Sequence, residues 1–172
     1  MIRIDVPATS ANLGSGFDAL GIALNKYNRV WMEEWDDVEI SSVDDTKIPT
    51  DTSNLIFWAA NYLYESCGHK LPGLKILQEN NIPMARGLGS SSACIVAGIL
   101  GANRMLGNPL SQEDLINLAA QIEGHPDNTS PAIAGGLVTS AIEGKRVYSV
   151  SVPVSDKIRF AVLVPPFELK TE

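Results

Sequence analysis

The sequence predicts an α+β domain on three observations. Early segments with period-two alternation follow one another closely, in hairpin-like order. Apolar residues then recur at helical spacing in separate stretches. Between these, a short strand runs through a Gly/Ser turn into an apolar helix. Ile2-Arg3-Ile4-Asp5-Val6 alternates and opens the chain as a half-buried strand. Further strands are predicted over about 28–32 and over 38–40, before a solvated loop at 44–49. Leu55, Trp58, Ala59 and Tyr62 share a helical face expected in the core, and Gly68 is the stop. Residues 74–77 form a short strand. The helix that follows Ser90-Ser91-Ser92 is rich in Ala, Gly and Ile, so neighbours can approach closely, and Gly107-Asn108-Pro109 ends it. Ser111-Gln112-Glu113-Asp114 reads as a capping sequence. Leu115, Leu118, Ala119 and Ile122 then form the buried stripe that delivers Glu123. Residues 147–152 alternate as a strand, and 158–164 read as another, closed by Pro165-Pro166.

The composition bounds the function. With 172 residues and 45% hydrophobic content, one domain with a real core is expected. A formal charge of −7 and the lack of any Lys/Arg cluster argue against a nucleic-acid partner. No uncharged apolar stretch approaches the roughly 18 residues of a membrane span, so no membrane partner is expected. Cys67 and Cys94 fall on separate predicted helices, with Cys94 read as a buried reduced thiol. The chain starts directly on a strand, without a signal peptide, and a disulfide-free cytoplasmic protein is the expectation.

The stretch richest in chemistry is Pro83-Met84-Ala85-Arg86-Gly87-Leu88-Gly89-Ser90-Ser91-Ser92-Ala93. Glycines let the backbone turn tightly against a ligand. The serines add hydroxyls at a helix start, where unpaired N–H groups and the positive dipole end favour an anion. It is not a Walker A loop, because G-x-x-x-x-G-K-[ST] is absent. It is not a dinucleotide fingerprint, because Ser92 stands where the third glycine belongs, and no G-x-S-x-G elbow exists. Read bottom-up, it is either a phosphate cradle or a plain Gly/Ser turn.

This stretch resembles the second motif of the GHMP kinases, P-x-x-x-G-L-G-S-S-A-A. Pro83, Gly87, Leu88, Gly89, Ser90 and Ser91 match in register, and Ser92 replaces an alanine. The resemblance implies that residues 83 and 85–92 wrap the ATP phosphates and that Ser91 is a ligand to Mg²⁺. Residues 7–21, Pro7 to Gly21, are similar to the form of the first motif found in homoserine kinases, P-A-[TS]-[ST]-A-N-[LI]-G-x-G-[FY]-D-x-[LA]-G. There Asp18 can accept from a substrate ammonium and Asn12 can bond a hydroxyl or carboxylate. Glu123-Gly124-His125-Pro126-Asp127-Asn128, continuing to Gly136, resembles E-G-H-x-D-N-x-x-P-A-x-x-G-G of the same enzymes. By that resemblance Glu123 completes the Mg²⁺ site with Ser91, which suits a hard cation that takes oxygen ligands. His125 is a substrate contact, or else a histidine satisfied by a helix C-terminus. Asn54 opens a helix either as a simple N-cap or, as the family implies, near the adenine.

The family position for a catalytic Asp aligns with Asn128, which implies direct attack of the substrate hydroxyl on the γ-phosphorus, with positioning and charge neutralisation supplying the catalysis. Asp127 is then structural. The implied fold is the GHMP kinase N-terminal domain, ribosomal-protein-S5-domain-2-like, a mixed sheet packed with helices. The implied reaction is ATP- and Mg²⁺-dependent phosphorylation of L-homoserine for threonine synthesis, with a homodimer allowed. Residues from about 158 are expected to begin a ferredoxin-like second domain that the 172 residues do not contain. Thr171 matches a family threonine near the substrate hydroxyl, and because that second domain and the substrate-binding Arg of the family are missing, poor turnover is expected from this stretch alone. Two other readings stand beside it: another GHMP kinase, mevalonate-type, or a non-catalytic nucleotide-binding module. Asp18 and His125 weigh against the first, and the paired Ser91 and Glu123 against the second.

Overall fold

A computed structural model describes residues 1–44 and 46–162. In chain order the described elements are β1 (Ile2–Ala11), β2 (Leu20–Glu34), β3 (Val38–Ser42), α1 (Leu55–Ser66), β4 (Leu74–Glu79), α2 (Ser90–Met105), α3 (Gln112–Glu123), α4 (Thr129–Ala134), β5 (Leu137–Glu143) and β6 (Arg146–Val152). The fold is α+β, as expected, with a mixed sheet.

β2 organises the sheet. It pairs antiparallel with β1 from Gly21 to Met32, with β4 over 29–34 and with β5 over 20–22. A strand has two edges, and β1 runs against both ends of β2, so β4 and β5 share the opposite edge. β3 adds to β4 in parallel, and β6 to β5 antiparallel. β1 continues five residues past its expected end because its register shifts between Pro7 and Ala8. Proline cannot donate to a ladder, and a bulge on an outer strand is where it is tolerated. The motif from Pro7 to Ala11 is thus strand rather than loop.

The core lies between the sheet and helices α1 and α2. Val6, Met32, Leu74 and Ile76 meet Ile56, Leu63, Val96 and Ile99 there, each essentially without exposure. The two helices touch at Gly98, where an added Cβ would stand 2.4 Å from the Ile56 carbonyl oxygen. Ile56, Ala59, Ala60 and Leu63 are the buried stripe of α1, spaced i, i+3, i+4, i+7. The face expected to include Trp58 is therefore rotated: Trp58 is 44% exposed and leans on Tyr62 at 5.7 Å between ring centroids.

α3 starts with a capping box at Ser111 and ends on Gly124, whose φ of 93° closes the helix. Leu115 and Ala119 face the main core, and Ile116 and Ala120 pack with Val147. β5 and the short α4 were not expected. The strand read at 158–164 is not formed over 158–162; the rest of it and Thr171 lie outside the described residues. Cys67 and Cys94 are free thiols. Among the described residues no helix is long and apolar enough to cross a membrane.

Candidate active site

The turn between β4 and α2 is built on three left-handed residues, Ala85 (φ 51°), Gly87 (66°) and Gly89 (65°). Leu88 is 6% exposed and anchors the turn in the core. Its carbonyl accepts from the Thr9 amide of β1 at 3.1 Å. Gly89 is the N-cap of α2 and brings no side-chain cap, so the helix opens with its first-turn amides uncapped by any side chain. At Gly89 an added Cβ would stand 2.0 Å from Thr9 Oγ1. The loop, the helix start and β1 meet there without room for a side chain.

A cavity of about 620 Å³ lies in front of this helix start. Residues 85–89 and Ser90, Ser91 and Ser92 form one wall. Asn12, Phe17 and Asp18 come from the β1–β2 connection, and Glu123, His125, Asp127 and Asn128 from the α3–α4 connection. Asn12 (φ 58°) and Asp18 (φ 55°) are left-handed, so three of the four described non-glycine residues with positive φ line this one cavity. Such strain persists where the surrounding structure fixes it, typically at functional sites. The Asn12 Oδ1 atom accepts from the Asp18 amide at 2.7 Å and cinches the connection, while the Asp18 side chain stays exposed.

Glu123, the last residue of α3, accepts from the Ser92 hydroxyl through Oε1 at 2.9 Å. Its Oε2 is buried and has no hydrogen-bond partner. A buried carboxylate oxygen without a donor is costly, and an ion would remove that cost. Among the described residues no group of three or more His, Cys, Asp or Glu side chains could cage a metal. One carboxylate with hydroxyls suits Mg²⁺, which typically enters with phosphates and retains waters. Beside this point, burial, reinforced by the charge of Glu123, pushes the Cys94 thiol up to about 11, so it stays neutral.

His125 Nδ1 lies 2.6 Å from Asp127 Oδ1. Asp127 is 1% exposed and its Oδ2 has no partner. Asn128 accepts through Oδ1 from the Thr9 hydroxyl at 2.8 Å. β2 reaches this corner through Gly21, where a Cβ would come within 1.8 Å of the Asp127 carbonyl oxygen.

The structure thus gathers Asn12, Asp18, Ala85, Arg86, Gly87, Leu88, Gly89, Ser90, Ser91, Ser92, Glu123, His125 and Asn128 around one cavity. Four residues are placed in ways the motifs alone did not convey. Asn54 is 2% exposed and caps α1, accepting from the Ile56 amide while donating to the Pro49 carbonyl, so its amide is used within its own loop. Pro83 lies outside this cavity, against a separate one beside Leu24 and Ile158. Leu88 contributes backbone, its side chain being core. The hydroxyl bonded to Glu123 is that of Ser92, while Ser91 is exposed on the cavity wall. The helical phase explains this last point: α2 begins at Ser90, and its third residue turns toward α3. Thr9 and Phe17 were not singled out, although both sit inside the first motif, whose register was the available signal.

Residues 54–136 match the family of GHMP kinase N-terminal domains. A curated homoserine kinase from Caldicellulosiruptor bescii is 47% identical over the whole chain, which covers 57% of that protein. One from Clostridium botulinum is 44% identical, again over the whole chain and 58% of its own length. The crystal structure of homoserine kinase from Cytophaga hutchinsonii superposes with a TM-score of 0.75 at 32% identity, over 90% of this chain and 52% of that one. The chain spans little more than half the length of the relatives it matches. It carries a GHMP kinase N-terminal domain.

Proposed function

We propose that this chain forms the nucleotide- and substrate-binding part of a homoserine kinase, which transfers the γ-phosphoryl group of ATP to the hydroxyl of L-homoserine. The observation that carries the reading is one cavity that joins an uncapped helix start to a carboxylate with an unpartnered buried oxygen. The first-turn amides of α2, with Ser90 and Ser91, bind phosphate oxygens. Glu123 Oε2 and the Ser91 hydroxyl hold Mg²⁺. When bound, the ion neutralises charge on the transferring group. The exposed Asp18 carboxylate takes the substrate ammonium, and His125, held by Asp127, meets another polar group of the same molecule. Asn128, on the same cavity, orients the reacting oxygens. Asp127 Oδ1 is engaged by His125, which supports a positioning role for this carboxylate, and direct attack by the hydroxyl follows from Asn128 standing at the family position of the catalytic Asp. The biosynthetic role in threonine supply and a cytoplasmic location accompany this reading.

The test is ADP release by the full-length protein with L-homoserine, mevalonate and galactose. L-Homoserine alone should drive turnover, and a preference for mevalonate would overturn the reading. Asn128→Ala should lower kcat by about 100-fold, the scale of losing one preorganised donor. Asp127→Asn retains an oxygen for His125 and should cost less than about tenfold. Equal losses would reverse the two assignments.

A further inference from the structure

We infer that Thr9 is a positioning residue that, together with Asp127, fixes which end of the Asn128 amide faces the reacting groups. The inference rests on the site reading given under Proposed function and goes beyond it by naming the residue that sets the donor. Three contacts carry it. The Thr9 hydroxyl donates to Asn128 Oδ1 at 2.8 Å. The Thr9 amide, on the outer edge of β1, donates to the Leu88 carbonyl at 3.1 Å. Gly89 Cα lies so near that a Cβ there would stand 2.0 Å from Thr9 Oγ1 and 3.2 Å from Asn128 Oδ1. One fully buried threonine therefore joins the phosphate turn, the start of α2 and the start of α4.

The electrostatics select one amide orientation. With Oδ1 held by Thr9, Nδ2 stands 3.4 Å from Asp127 Oδ1, in a residue that lines the cavity. A flipped amide would put its oxygen beside that carboxylate oxygen, and two acceptors repel. Asn128 thus presents N–H donors to the transferring group, and an N–H donor stabilises an anionic oxygen where a carbonyl would repel it. The methyl of Thr9 fills the buried space, the Asp127 carboxylate disfavours the flipped amide, and the Thr9 hydroxyl anchors the orientation that remains.

The test is a double-mutant cycle between Thr9→Val and Asn128→Ala in the full-length protein, with Thr9→Ser as the conservative variant. Thr9→Val should lower kcat by roughly tenfold or more while KM for ATP moves within about twofold. Thr9→Ser should restore most of kcat, and Thr9→Val should have no further effect in the Asn128→Ala background. An independent readout is the Asn128 side-chain amide in an ¹H–¹⁵N spectrum, which should shift in Thr9→Val and stay in place in Thr9→Ser. If valine crowds Gly89 and unfolds the chain, Thr9→Ala leaves a gap instead and is read in the same cycle. Additive losses, serine as impaired as valine, or an unmoved Asn128 amide would each overturn the inference. The amide signal decides it even if the wild type phosphorylates a different alcohol, so failure of Thr9 and failure of the homoserine reading are told apart.

Discussion

α2 and α3 are neighbouring helices that begin in opposite ways. At α3, the Ser111 hydroxyl accepts from the Asp114 amide at 3.2 Å, and the Asp114 carboxylate accepts from the Ser111 amide at 3.1 Å and hydroxyl at 2.6 Å. That start carries its own side-chain cap within four residues. At α2 the N-cap is Gly89, without a side-chain acceptor, and the amides open onto the cavity. Orphan amides must find partners. A chain that closes one helix start with its own side chains and leaves its neighbour open has marked the place for an external acceptor.

The comparison breaks most sharply at Gly89. Gly89→Ala places a Cβ 2.0 Å from Thr9 Oγ1 on a residue whose φ is +65°. Left-handed backbone strain and overpacking together should destabilise the fold by about 2–4 kcal/mol. Affinity for a non-hydrolysable MgATP analogue should fall by more than about tenfold, because the amides move off line. Urea unfolding and calorimetric titration read the two effects. Unchanged affinity in a folded variant would mean that the α2 start is not the anion site.

Ser111→Ala is the matching change at the closed start. Losing an N-cap should cost about 1 kcal/mol of stability, with the analogue binding as tightly as before. A thermal melt and the same titration check it. If affinity fell in step with stability, the two starts would not be functionally distinct.

Where the sequence was legible, the signal was local. The Ser111 cap and the apolar stripe behind it place Glu123 at a helix end, and the Gly/Ser turn marks an open start, because capping and turn chemistry act within a few residues. The rest needed partners distant in the chain. β1 extends through Pro7 because a bulge against β2 absorbs it. Trp58 faces outward because Ile56, Ala59, Ala60 and Leu63 take the buried face of α1. Ser92 rather than Ser91 meets Glu123 because the phase of α2 is set at Gly89, and the phase in turn by how closely Thr9 approaches. Asn54 reads equally as cap or ligand until its buried amide is seen to serve Ile56 and Pro49.

The smallest expected effect separates the two starts by pH. The Ser111 hydroxyl and then its amide hold the Asp114 carboxyl below the usual carboxylate range. A group whose folded value is depressed stabilises the fold above its unfolded value near 4 and ceases to do so as pH falls through the folded value. The α3 cap should therefore loosen as pH drops below about 4. The α2 start, which has no titrating cap, should show no transition tied to this carboxyl. Hydrogen-exchange protection of the first-turn amides, followed from neutral pH downward, measures both helices in one experiment. Asp114→Asn should remove the acid step at α3 and leave α2 as it was. Parallel loss of protection at the two starts would show that acid acts on the domain as a whole, and the contrast between a self-closed helix start and an open one would then not extend to their local stability.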